Sequence, residues 1–243
     1  MKAYEKTIGD LTCVVIDGGE EPTNAVVVCH GYGAPGDDLV PFGAQWAENL
    51  GQDAQKFRFV FPSAPLTLAE MGMPSARAWW PLNMQRLMLA VEARQFAELH
   101  QHEPPGLDNA RSKLAATVQQ VLDSLATDSP QWVLGGFSQG AMLTMDTALR
   151  SDLQPPRLLF QMSGTLICQP QWQAQLPRLS ETKVIQSHGT SDPILPFESA
   201  QALRDLLREG QVELDFLAFD GPHTVGPEMV SATSTALQDL AAS

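Results

Sequence analysis

Ser138 stands at the centre of residues 136–140, Gly-Phe-Ser-Gln-Gly, with a glycine two positions away on either side. The apolar run 132–135 precedes this motif, and the apolar residues 141–145 follow it. The order strand, G-x-S-x-G, helix is typical of a nucleophile elbow, a strained turn that exposes a serine hydroxyl at a helix N-terminus. The glycines remove the Cβ atoms that would collide with the neighbouring strand and helix. The alternative is a glycine-rich turn whose serine only caps the helix.

A nucleophilic serine needs a base, and its chain position narrows the choice. In α/β-hydrolases the order is Ser, then Asp or Glu, then His. Of the five histidines, only His188 and His223 follow Ser138. His223 lies in a loop bounded by glycine and proline, which leaves it free to reach across to a serine. We predict His223 as general base and then general acid. His188 is the rival base, and its other interpretation is a structural histidine that holds the acid loop.

Asp192 is the predicted acid that fixes the tautomer of His223. It follows the strand-like residues 183–187 and therefore lies at the C-terminal edge of a parallel sheet, where side chains enter a site. Asp215 and Asp220 are the rival acids. We expect Asp215 to face solvent from a strand, and Asp220 to cap the turn just before the histidine.

The loop after the first buried strand predicts an oxyanion hole. Glycines bracket Tyr32 in the sequence His-Gly-Tyr-Gly, so the backbone can fold tightly under the nucleophile. Such a hole pairs the N–H after the serine, here that of Gln139, with one from this early loop, for which we choose Tyr32. Because both donate through the backbone, we expect side-chain identity to matter little at either position. His30 is expected to brace the loop.

These motifs together resemble the phospholipase/carboxylesterase family of α/β-hydrolases, which includes small bacterial carboxylesterases, lysophospholipases and acyl-protein thioesterases. The matching segments are HGYG at 30–33, RAWWPL at 77–82, GFSQG at 136–140, HGTSDP at 188–193 and GPH at 221–223. The resemblance runs from about residue 24 to the C-terminus. It implies Ser138, Asp192 and His223 as a catalytic triad, with Tyr32 and Gln139 as oxyanion donors.

The chain departs from the family pattern at three places. Ala141 occupies a position that is often a second glycine, and Pro222 precedes the histidine where a glycine is usual. Pro81 and Leu82 stand where the family has an aspartate after its Trp-Phe pair. The last departure concerns the acyl pocket rather than hydrolysis.

Composition agrees with one α/β-hydrolase domain over residues 1–243. The chain is 44% hydrophobic and 18% charged, with no repeat or linker that marks a second domain. Its net charge of −13 argues against nucleic acid as a partner, because nucleic acid binding requires clustered Lys and Arg. The three cysteines show no metal spacing and fit a reducing compartment. The N-terminus lacks the apolar stretch of a signal peptide and no run approaches a membrane span, so we expect a cytoplasmic protein without integral membrane association.

Strand-like and helix-like segments alternate along the chain, which predicts a mostly parallel central sheet with helices on both faces. The predicted strands are Thr12–Ile16, Ala25–His30, Phe57–Phe61, Trp132–Leu134, Arg157–Met162, Lys183–Ser187 and Glu213–Phe219. The predicted helices are Leu39–Leu50, Leu107–Ala126, Gln139–Arg150, Phe197–Glu209 and Glu228–Ala241.

Residues 66–106 exceed this minimal core and predict a cap-like insertion after the third core strand. The spacing of Met84, Leu87, Met88, Val91 and Leu99 indicates an amphipathic helix within it. Flexible thioethers and flat indoles suit an acyl groove, so we predict that Met71, Trp79 and Trp80 bind substrate. The alternative is that they form the core of the insertion itself.

The reaction expected is two-step hydrolysis of an ester through an acyl-enzyme, with a small-molecule ester or thioester as partner and no metal or organic cofactor. The bulky, aromatic insertion favours short or medium acyl chains. Lysophospholipase or acyl-protein thioesterase activity is the alternative and needs a long open groove. A non-catalytic binding protein that kept the fold is the remaining alternative, and it would not require an intact serine, histidine and aspartate.

Overall fold

The computed structural model describes residues 3–93 and 96–242, which form one eight-stranded sheet, a small hairpin and flanking helices. The strands are β1 Ala3–Ile8, β2 Leu11–Asp17, β3 Asn24–Cys29, β4 Phe57–Pro62, β5 Leu66–Leu68, β6 Met73–Ala78, β7 Gln131–Phe137, β8 Leu158–Met162, β9 Lys183–Gly189 and β10 Glu213–Phe219.

The sheet order is β1-β2-β4-β3-β7-β8-β9-β10. From β4 to β10 all neighbours are parallel, whereas β1 and β2 join the β4 edge in antiparallel pairs. Every residue of β3 and β8 is buried, as a strand covered by helices on both faces requires. The predicted α/β-hydrolase fold, a mostly parallel sheet between helices, is confirmed.

The helices are α1 Val40–Leu50, α2 Met84–Glu92, α3 Phe96–Gln101, α4 Leu107–Asp123, α5 Gln139–Arg150, α6 Gln169–Gln175, α7 Phe197–Glu209 and α8 Pro227–Ala242. Two apolar cores lie on opposite faces of the sheet. Alternate residues of β3 divide between them: Val27 belongs to the core that includes residues of α4 to α7, and Val26 belongs to the core that includes residues of α1 and α8. Burial of this apolar surface is the main force that holds the layers together.

Outside the insertion, all of the predicted strands and helices exist, with differences at their ends. Helix α4 stops at Asp123 rather than at residue 126, and β7 extends through two glycines to Phe137. The single amphipathic helix predicted in the insertion is instead two helices, α2 and α3. Residues 94 and 95, and the side chains of Met84 and Val91, fall outside the described part of the chain.

Residues 66–106 comprise the β5–β6 hairpin, α2 and α3. Five methionine and leucine side chains in the described part of this segment are exposed. Three lie in the hairpin and two in α2: Leu66, Met71, Met73, Met88 and Leu89. No helix in the described parts of the chain is long and apolar enough to cross a membrane.

Candidate active site

Ser138 occupies a strained turn between β7 and α5. Its φ of 53° and ψ of −118° form a backbone conformation that non-glycine residues rarely adopt. A Cβ on Gly136 would lie 2.4 Å from the carbonyl carbon of Gly140, and one on Gly140 would lie 2.2 Å from the Cys29 carbonyl oxygen. Both glycines are therefore imposed by close backbone approach.

The structure brings Ser138, His223 and Asp192 together in one hydrogen-bonded chain. His223 Nδ1 donates to Asp192 Oδ2 at 2.6 Å, and Nε2 lies 2.9 Å from Ser138 Oγ. Because an ionised carboxylate only accepts, the Nδ1 proton is fixed there and Nε2 is left to accept the serine proton. This arrangement can generate an alkoxide nucleophile.

Asp192 is held as an anion by the loop that carries it. Its Oδ1 accepts the N–H groups of Ile194 and Leu195 at 2.8 and 2.9 Å. Burial by itself raises the pKa of Asp192, but hydrogen bonds from His188, His223 and the Leu195 N–H outweigh burial and hold the pKa well below its usual range.

The residues considered as alternative base or acid, His188, Asp215 and Asp220, make no hydrogen bond to Ser138 or His223 in the described part of the chain. His188 is fully buried, and its Nε2 donates to the Leu195 carbonyl at 2.8 Å and lies 3.2 Å from Asp192 Oδ2. His188 therefore braces the loop that carries Asp192, which agrees with its interpretation as a structural histidine rather than as a base. Asp215 pairs with Lys183 at 2.9 Å on the exposed edge strand, and Asp220 is exposed.

The Tyr32 loop passes directly against the elbow. A Cβ on Gly31 would lie 3.0 Å from the Phe137 ring and 3.3 Å from Ser138 Cβ. His30 braces this loop as predicted: its Nε2 accepts the Ala64 N–H at 2.9 Å, so Nδ1 carries the proton and donates to the Gly31 carbonyl at 2.8 Å. Burial lowers the pKa of His30 to about 4 and keeps it neutral.

Gln139 is the first residue of α5, so its backbone N–H has no acceptor within the helix and points from the positive end of the helix dipole. Its side chain is also buried and makes two hydrogen bonds. Oε1 accepts the Trp79 N–H at 2.9 Å, and Nε2 donates to the Trp80 carbonyl at 3.0 Å. We expected side-chain identity to matter little at this position, because the predicted donor is the backbone N–H. The two side-chain hydrogen bonds correct this expectation for Gln139.

A mostly apolar cavity of about 200 Å³ opens beside Ser138 and His223. Trp80 lines it, as predicted for a substrate-binding residue. Trp79 lies behind the wall instead, because its ring packs on His30 and its Nε1 donates to the His30 carbonyl at 2.9 Å.

A more open groove of about 670 Å³ continues the cavity toward the surface. Met71 lines this groove rather than the cavity, and its sulfur lies 3.8 Å from the Tyr32 hydroxyl. Residues from the 66–106 segment line both spaces: Trp80, Leu82, Leu87, Leu99, His102 and Pro104. His102 is the histidine at this shared rim.

Sequence reasoning missed the part of the cavity wall that follows β8 and β9. These residues carry no motif, but they follow the C-terminal ends of parallel strands, where sites form. They are Thr165, Leu166, Ile167, Ile194, Leu195 and Pro196.

The model of the phospholipase/carboxylesterase family matches residues 11–240, which is nearly the whole chain. The chain belongs to this family. Acyl-protein thioesterase 1 of Mycosarcoma maydis is 26% identical to it over 239 residues, covering 91% of this chain and 93% of that protein. Acyl-protein thioesterase 1 of Eremothecium gossypii is 30% identical over 190 residues, covering 74% and 70%.

Solved structures share the family fold. Esterase PE8 superposes with a TM-score of 0.76 at 23% identity, covering 98% of this chain and 99% of that one. Zea mays acyl-protein thioesterase 2 gives a TM-score of 0.65 at 18% identity, covering 94% and 98%. At these identities the likeness concerns the fold alone, and the phospholipase/carboxylesterase family match makes the chain a member of a hydrolase family.

The departures from the family pattern have local explanations. Ala141 faces Gly164, where an added Cβ would lie 2.7 Å from the alanine methyl group, so the alanine is accommodated by a glycine opposite. Pro222 lies over Gly189, whose absent side chain leaves room for the Pro222 carbonyl. Pro81 lines the outer groove.

Proposed function

We propose that this protein is a serine hydrolase that cleaves carboxylic esters through an acyl-enzyme, with Ser138 as nucleophile, His223 as base and Asp192 as orienting acid. The observation that carries the proposal is the hydrogen-bonded chain of these side chains, with distances of 2.9 and 2.6 Å, at the strained turn beside an apolar cavity. A binding protein would have no need of that alignment.

In the first step, Ser138 Oγ forms a bond to the carbonyl carbon while His223 Nε2 takes its proton. The carbonyl electron pair moves to oxygen, and the backbone N–H groups of Tyr32 and Gln139 stabilise the resulting oxyanion. The oxyanion then collapses, the bond to the leaving oxygen breaks, and His223 returns the proton to that oxygen.

Water repeats the sequence in the second step. His223 takes a proton from water, the new C–O bond forms through a second tetrahedral oxyanion, and the bond to Ser138 breaks. The serine recovers its proton from His223 and the carboxylic acid leaves. Asp192 stays ionised throughout, because its hydrogen bonds keep its pKa low, and it stabilises the imidazolium formed in each step.

The cavity supports the substrate class that we propose. Its lining is mostly apolar, which suits an acyl chain, and its small volume suits a short or medium one. We propose that residues 66–106 act as the cap that encloses this chain.

The direct test is hydrolysis of p-nitrophenyl esters from acetyl to palmitoyl by wild type and Ser138→Ala. We expect a maximum at short or medium chains and a loss of at least about 10³-fold in kcat for the variant. Labelling of Ser138 by a fluorophosphonate provides a second readout. A folded wild type that neither turns over any ester nor reacts with the fluorophosphonate would rule the proposal out.

Thioester hydrolysis is a second candidate because the cavity continues into the groove that Met71 lines, and the relatives cited above are named acyl-protein thioesterases. A groove at the surface gives room for an acyl group attached to a larger carrier. Comparing kcat/KM for an S-octanoyl peptide with that for p-nitrophenyl octanoate separates the candidates. A higher value on the peptide thioester would favour this second function.

A further inference from the structure

We propose that the Gln139 side chain is a positioning residue that holds the two backbone donors of the oxyanion hole in register; this inference rests on the hydrolysis proposed above. The side chain is 1% exposed. It makes its hydrogen bonds to backbone groups rather than to the cavity, so its role is distinct from that of its own N–H.

The first link runs from the elbow to the chain that follows β6. Gln139 Oε1 accepts the N–H of Trp79, and Nε2 donates to the carbonyl of Trp80. One primary amide therefore satisfies a buried donor and a buried acceptor on consecutive residues. Both tryptophans are themselves buried, which leaves water no access as a replacement partner.

The second link runs from the same stretch to the Tyr32 loop. The Trp79 indole N–H donates to the His30 carbonyl at 2.9 Å. Arg77 accepts from the Gly33 N–H at 2.8 Å and donates its own N–H to the Ala34 carbonyl at 3.0 Å. The loop is thus bonded to the end of β6 on both sides of Tyr32.

Together these contacts form a closed ring. The Gln139 amide joins the elbow to Trp79, Trp79 joins the Tyr32 loop, and Gly31 of that loop packs on Ser138 of the elbow. Of the two proposed oxyanion donors, the Gln139 N–H belongs to the elbow part of this ring and the Tyr32 N–H to the loop part. An oxyanion needs both donors at about 2.7–3.1 Å, and a displacement of about 1 Å can lower the rate about 100-fold. The Gln139 amide is the side chain that ties the elbow half of the ring to the loop half.

Replacing Gln139 with methionine keeps the length of the side chain but leaves the Trp79 N–H and the Trp80 carbonyl buried without partners. These groups must shift to find new ones, and the donors shift with them. Because the oxyanion exists only in the transition state, we expect kcat to fall about tenfold to a hundredfold while KM changes less than about threefold.

Gln186→Met is the matched control. Gln186 is a fully buried glutamine whose Nε2 donates to the Ala200 carbonyl at 2.9 Å, and it does not line the cavity. Its loss is expected to lower the unfolding midpoint while kcat stays at the wild-type value. An alkyl trifluoromethyl ketone, which forms a tetrahedral adduct with the serine, reports the oxyanion hole directly. Its affinity for Gln139→Met should fall in parallel with kcat.

Wild-type kcat in a folded Gln139→Met enzyme would overturn the inference, as would an equal loss of kcat in Gln186→Met. If Gln139→Met does not fold, Gln139→Asn shortens the side chain by one methylene, so that its amide cannot keep both hydrogen bonds, adds no charge beside the oxyanion, and is judged by the same criteria. Failure of the proposed function looks different: wild type itself would be inactive on every ester, and both proposals would then fall.

Discussion

At the scale of single residues, Asp192 combines burial with negative charge, and the structure explains how. One carboxylate oxygen accepts two backbone N–H groups and the other accepts from His223. His188 Nε2 lies 3.2 Å from the second oxygen. We expect Asp192→Asn to lower kcat about 10³- to 10⁴-fold, because an amide cannot stabilise the imidazolium and favours the wrong tautomer of His223. Steady-state kinetics on a p-nitrophenyl ester measure this. A loss below tenfold would mean that another group orients the histidine.

The same residue makes stability depend on pH. Its pKa is lowered on folding from an unfolded value of about 3.9, so its stabilising contribution is complete above about pH 4 and is lost as the pH falls below that value. The difference in unfolding free energy between wild type and Asp192→Asn should therefore shrink between about pH 5 and pH 2.5. Urea denaturation at both values measures it, and a difference that does not change with pH would contradict the assignment.

At the scale of elements, Asp146 ties together the helices behind the elbow. It is fully buried on α5 and accepts from Arg111 of α4 at 2.7 Å, from Arg150 at 3.1 Å and from the Trp172 indole of α6 at 2.8 Å. Removing one partner of a buried charge network costs about 3–5 kcal/mol, because the remaining charges lose their partner.

We therefore expect Asp146→Asn to lower the free energy of unfolding by about 3 kcal/mol. Asp108→Asn is the control, because Asp108 pairs with the same Arg111 but its side chain is 67% exposed, and such pairs contribute about 1 kcal/mol or less. Urea denaturation measures the free energy of unfolding of both variants. Equal losses of this free energy would mean that the buried network does not hold these helices together.

The elements also show what sequence could predict. Strands buried on both faces, such as β3 and β8, can be predicted because their sequences are nearly continuous apolar runs. The elbow glycines likewise predict where β7 ends in a turn. Strand β1 was missed because five of its six residues are exposed and it has no apolar alternation. The β5–β6 hairpin was missed for a similar reason, since its first residues are exposed. The Gln139 contacts join residues about 60 positions apart, which no local pattern encodes.

At the scale of the whole molecule, the proposed catalytic residues and much of the cavity wall come from different parts of the chain. The sheet edge supplies Ser138 and its partners, while residues 66–106 supply the wall shared by cavity and groove. Leu87 of α2 lies on that shared wall, whereas its neighbour Met88 is 60% exposed and lines neither space. A larger side chain at Leu87 should therefore narrow the route from cavity to groove without touching the catalytic groups.

We expect Leu87→Trp to lower the ratio of kcat/KM for decanoyl over acetyl p-nitrophenyl esters by about tenfold, because a hydrophobic site discriminates by about 1–3 kcal/mol per misplaced methylene. Met88→Trp adds the same bulk one residue away and should leave the ratio unchanged. Activity on the acetyl ester reports in both variants that the sheet edge is intact. If Leu87→Trp keeps its acetyl activity and also the wild-type ratio, the acyl chain does not run beneath α2, and the cavity would have to hold it on the side of Thr165 and Ile167 instead.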